Sequence, residues 1–137
     1  MNIIAVDPGL TIGLARVDTY NADWDAWQTT DVHEAELWID NRISWDDNNV
    51  LLIEDYISGG HLTKEAKTTL LSLGFFYWRY SKGAWYSVET PVPQKRKSRV
   101  GRATELGEAR NVEGPHSWDA LAHILAYMYR NNMSDPL

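Results

Sequence analysis

The chain has 137 residues, 44% of them hydrophobic, which suffices for one domain with a packed core and leaves little room for a second. It has no cysteine, which excludes a disulfide framework and thiolate metal sites and suits a reducing cytoplasm. The net charge of −6 argues on average against a nucleic-acid partner, but residues 1–57 carry two basic and twelve acidic side chains, whereas His61 to Arg102 holds nine basic and two acidic ones. From charge alone, that basic stretch is either a solvated face or a binding surface.

Met1 to Val6 lacks a basic leader and reads as a buried strand, not a signal peptide. No apolar run reaches the ~18 residues needed to span a membrane. The first strand, Ile3 to Val6, ends at Asp7, and Pro8 and Gly9 turn the chain. Thr11 to Val17 and Trp24 to Gln28 predict two further strands in an antiparallel meander. Asp31 with Glu34 predicts a capping box, followed by a helix with Val32, Ala35, Ile39 and Ile43 on one face. Val50 to Ile53 is another apolar strand, ending at Glu54, with Gly59 and Gly60 in the loop behind it. Lys64 to about Tyr80 predicts a helix that buries Leu70, Leu73 and Tyr77. Trp85 to Glu89 predicts a fifth strand, stopped by Pro91 and Pro93. A basic loop from Gln94 to Arg102 and a short helix over Ala103 to Arg110 follow. The last helix starts near Pro115 and runs to about Asn131, with Trp118, Leu121, Leu125 and Met128 as its core stripe. The expected architecture is α/β, a mixed sheet with helices packed on it.

Asp7 and Glu54 each end an apolar strand, the position where open α/β sheets bind ligands. If those two strands are neighbours, the carboxylates approach each other and repel unless a cation or a proton joins them. Hard divalent cations prefer such oxygen ligands. His116 and Asp119, three apart in the first turn of the last helix, share a face. Singly, each has an ordinary explanation. Asp7 is a turn former, Glu54 a solvated strand end, Asp119 a charge that complements the helix dipole, and His116 a surface residue. Their joint order and element type is more specific.

The segments IIAVDPGLTIGLARV, VLLIEDYI and GPHSWDALAHILAYM resemble the three acidic motifs of the RuvC family of Holliday-junction resolvases, with the short, phage-type members closest in style. The resemblance implies a ribonuclease-H-like fold with a five-stranded mixed sheet in a single domain spanning residues 1–137. It implies a homodimer that cleaves four-way DNA junctions, in a bacterial host cytoplasm if phage-encoded. Asp7, Glu54 and Asp119 match the metal-binding carboxylates. His116 falls where many members have a fourth Asp and some have His, a change that favours Mn²⁺ over Mg²⁺. Two ions about 3.5–4 Å apart are implied, with Asp7 bridging them. The family's aromatic wedge position is Ile57 here, with Tyr56 beside it as the stacking candidate. Lys95, Arg96, Lys97, Arg99 and Arg102 fall in the family's basic region, and Lys64 and Lys67 are candidate phosphate contacts. A flap or branched-DNA endonuclease and an RNA–DNA hybrid nuclease share this chemistry. Asp7-Pro8-Gly9-Leu10-Thr11 also resembles the phosphate loop of actin-like ATPases, and an inactive nucleic-acid-binding relative is a further alternative.

Overall fold

The computed structural model describes residues 1–43, 49–54, 63–81, 86–89 (as backbone) and 99–137. Its strands are β1 (Asn2–Asp7), β2 (Ile12–Asp18), β3 (Asp23–Thr29), β4 (Asn49–Ile53) and β5 (Tyr86–Glu89), and its helices α1 (Val32–Asp40), α2 (Lys64–Tyr80), α3 (Val100–Ala109) and α4 (His116–Arg130). The five strands form one sheet in the order β3-β2-β1-β4-β5. β1 pairs antiparallel with β2 and parallel with β4, while β2–β3 is antiparallel and β4–β5 parallel. This is the five-stranded mixed sheet with flanking helices that the sequence predicts.

β1 and β4 are continuous apolar runs because both of their faces are covered. On one face Ile3, Ala5, Val50 and Leu52 pack with Leu121, Ile124, Leu125 and Met128 of α4 and Ala103 of α3. On the other Ile4, Val6, Leu51 and Ile53 meet Ala35 and Ile39 of α1 and Leu73, Phe76 and Tyr80 of α2. Fully burying an aliphatic side chain of this size contributes about 1.5–3 kcal/mol, so these two layers hold the sheet.

Three local expectations are modified. Asp31 caps α1 by accepting from the backbone N–H of His33 at 2.8 Å and of Glu34 at 3.1 Å, but Glu34 does not complete a capping box. Its carboxylate accepts from the Thr29 hydroxyl at 2.9 Å, and that hydroxyl in turn accepts from the Asp31 N–H at 3.1 Å. The end of β3 thus relays the bond that the helix would otherwise close on itself. In α2 the inward stripe is Ala66, Leu73, Phe76 and Tyr80, while Leu70 is 38% exposed and Tyr77 half-buried. Trp118 is only partly buried, and its ring lies against Gly107 and Gly114, where an added Cβ would come within 2.2 and 2.3 Å of it. Its indole N–H donates to the Val112 carbonyl at 3.0 Å, so it fastens α3 and its following loop to α4.

Tyr80 closes the α1–α2 contact. Its buried hydroxyl lies 2.9 Å from an Asp40 carboxylate oxygen, and Arg79 pairs with Glu36 at 2.8 Å and with Asp40 at 3.0 Å. Burial first, and then the bond to the Asp40 carboxylate, push this phenol far above its ordinary range. Tyr80→Phe is expected to fold and to lose about 1 kcal/mol in urea unfolding, because Arg79 still satisfies Asp40. An unchanged midpoint would show that the hydroxyl does not help hold the two helices together.

Candidate active site

The sheet register brings the first two acids together. Val6 stands opposite Ile53, and the Glu54 N–H donates to the Val6 carbonyl at 3.0 Å. Asp7 and Glu54 therefore end adjacent parallel strands on one edge of the sheet. On its other side, Asp7 stands opposite Gly13 of β2. The first turn of α4 rests on that glycine, since a Cβ at Gly13 would lie 2.0 Å from the His116 carbonyl oxygen. Pro115 offers no side-chain cap. Gln28 of β3 supplies one from across the sheet, its amide oxygen accepting from the backbone N–H of His116 at 3.1 Å and of Ser117 at 3.4 Å. This satisfies donors that a helix start leaves orphaned, and it holds the turn bearing His116 and Asp119 over the end of β1.

The result is an open pocket of about 460 Å³. Asp7, Pro8, Gly9, Leu10 and Thr11 form one wall, His116 and Asp119 of α4 a second, and Glu65 and Thr69 of α2 a third. Glu54 is 6% exposed, and one of its carboxylate oxygens lies 2.9 Å from Nε2 of His123 on α4. Among the described residues, no three His, Asp or Glu side chains stand at metal-holding spacing. The donor chemistry nonetheless fits a hard or borderline divalent cation, because Asp7 and Asp119 present carboxylates and His116 an imidazole to the same pocket.

The basic candidates divide. Lys64 and Lys67 are exposed on the N-terminal half of α2, the helix whose Glu65 and Thr69 line the pocket. Arg99 stacks its guanidinium 4.2 Å over the Tyr129 ring. Arg102 pairs with Asp135 at 3.2 Å and donates to the Leu137 carbonyl. Tyr129 lies at the far end of α4 from His116, about 20 Å along a helix rising 1.5 Å per residue, so the fold does not bring Arg99 to the pocket. Tyr56, Lys95, Arg96 and Lys97 lie outside the described residues.

Gly13, Gln28, Glu65 and Thr69 join the site through tertiary packing and carry no local signal of it. His123 does carry one, because His116, Asp119 and His123 fall at i, i+3 and i+7 on one helical stripe.

No protein-family model matches the chain, and no curated protein matches it in sequence. Among solved structures it is similar to RuvC of Thermus thermophilus in complex with Holliday junction substrate, at a TM-score of 0.61 and 16% identity, covering 98% of this chain and 97% of that one. A second Thermus thermophilus RuvC structure matches at a TM-score of 0.54 and 16% identity, with 100% of both chains covered. At that identity the likeness establishes the fold, which is RuvC-like within the ribonuclease-H-like class.

Proposed function

We propose, on the premise of a RuvC-like fold with acids at its strand ends, that this chain is a structure-selective DNA endonuclease that hydrolyses phosphodiesters of four-way junctions. The observation that carries this reading is the shared pocket of Asp7, His116 and Asp119, with Glu54 ending the neighbouring strand. The solved relative bound to a Holliday junction favours the junction as substrate. Asp7, Glu54, His116 and Asp119 would hold Mg²⁺ or Mn²⁺. Such ions, when bound, neutralise developing charge on the phosphate oxygens and acidify a water for attack. The chain's own contribution is placement: Asp7 is fixed by its pairing with Gly13 of β2 and by the pairing of the preceding Val6 with β4, and His116 and Asp119 by the Gln28 cap. An imidazole in place of a fourth carboxylate favours Mn²⁺.

The DNA backbone would run over Lys64 and Lys67, together with Lys95, Arg96 and Lys97. Arg99 and Arg102 would have to leave Tyr129 and Asp135 to join them. Tyr56 would stack on an unpaired base at the branch point, worth ~1–3 kcal/mol. Leu71 and Trp78, 76% and 73% exposed, flank Gly74 on the outer face of α2. Pairing of two copies through this face would cover it and would supply the two active sites that symmetric cleavage requires.

The test is cleavage of a four-way junction, a flap and an RNA–DNA hybrid, each with Mg²⁺ and with Mn²⁺. Paired nicks in opposite junction strands are expected. Cutting only the flap or only the hybrid would keep the nuclease and reassign its substrate, and no cleavage in either metal would overturn the reading. Changing Lys64 and Lys67 together to Gln is expected to make the log–log salt dependence of junction binding shallower, by about 0.9 for each phosphate charge left without its lysine. An unchanged slope would take α2 off the DNA path.

A further inference from the structure

His123 lies deep in the molecule, 1% exposed, in the part of α4 that packs on the sheet. Its neighbours along that helix, Ala120, Ala122, Ile124 and Tyr127, belong to the apolar core. Nε2 lies 2.9 Å from Oε2 of Glu54, yet neither ring nitrogen makes a hydrogen bond among the described residues, so the two groups are close without being aligned. A buried polar group left without a partner costs about 1–3 kcal/mol, which is a poor return for a residue that only fills space. A small rotation of the ring or the carboxylate converts the approach into an N–H···O bond.

We propose that His123 is a positioning residue for Glu54: it donates to Oε2 and holds the carboxylate in the one orientation that serves a divalent cation. The inference rests on the reading of Glu54 as a metal ligand. Side chains that orient a ligand in this way typically change metal affinity or activity by about 10–100-fold when removed. His123 touches neither substrate nor metal in this arrangement and acts only through Glu54.

Mn²⁺ binding by the DNA-free protein, measured by titration calorimetry, tests it on His123→Leu, His123→Gln, Glu54→Gln and the double variant His123→Leu/Glu54→Gln. His123→Leu is expected to weaken Mn²⁺ binding by about 10–100-fold. His123→Gln, which keeps an N–H donor, should recover most of that loss, and the double variant should bind no more weakly than Glu54→Gln alone. If circular dichroism shows that His123→Leu does not fold, His123→Met, also without an N–H, replaces it. Wild-type Mn²⁺ affinity in the Leu or Met variant overturns the inference, as does a double variant weaker than Glu54→Gln. Wild-type affinity in Glu54→Gln would instead overturn the metal-site reading, so the two failures are distinguishable.

Discussion

Asp7→Asn is expected to abolish cleavage while leaving junction binding largely intact. The substitution is nearly isosteric, and the backbone is held by β2 at Asp7 itself and by β4 at the preceding Val6, so the fold should be retained. It removes an anionic oxygen from a pocket that also holds Asp119 and His116, and it removes no cation that meets DNA. The loss of rate should exceed the roughly 10–100-fold typical of residues that only support a ligand. Like charges in one pocket repel, so in chelator the variant should melt no lower than wild type. Glu54→Gln and Asp119→Asn should lose activity in the same direction. Single-turnover cleavage with saturating metal, beside equilibrium binding to the same junction, measures both halves. Near wild-type cleavage would remove Asp7 from the site.

Gly13→Ala is expected to produce the largest loss of stability from the smallest change. A Cβ there meets the His116 carbonyl oxygen at 2.0 Å and its carbon at 2.5 Å. These are backbone atoms at the start of α4, and no rotamer change moves them away. Either β2 bends or α4 lifts from the sheet. Overpacking typically costs about 1–3 kcal/mol, or a melting temperature lower by about 4 °C per kcal/mol in a domain of this size. Activity should fall with it, because lifting α4 separates His116 and Asp119 from Asp7. Gly101→Ala is the control, since a Cβ at that position of α3 meets nothing within 4 Å. It should be neutral or stabilise by up to about 1 kcal/mol. Equal melting temperatures for the two variants would mean that α4 does not rest on Gly13 as described.

Much of this protein was legible from local pattern. Ile3 to Val6 and Val50 to Ile53 are unbroken apolar runs because β1 and β4 lie at the centre of the sheet with both faces covered, and each ends in an acid at the edge where the apolar run stops. α4 is a nearly unbroken apolar run from Ala120 to Met128 because every position there is buried, with the sheet and α3 both packed against it. Such patterns record how each element is buried, and a short window of sequence contains them. Which elements meet was not in any window. That β4 lies beside β1 is what places Glu54 next to Asp7. That Gly13 lacks a side chain lets α4 settle over the end of β1, and the α4 cap comes from Gln28 on the opposite edge strand. His123 shares a helical stripe with His116 and Asp119 in the sequence, but only the fold sets it 2.9 Å from Glu54. Arg99 and Arg102 read as part of a single basic stretch until the fold turns them to Tyr129 and Asp135. The sequence by itself determined the elements, their buried faces and the acids that end them, since burial and backbone period act over a few residues. Only the tertiary structure decided which of those residues share a pocket, because that depends on close approaches between chain segments far apart in sequence.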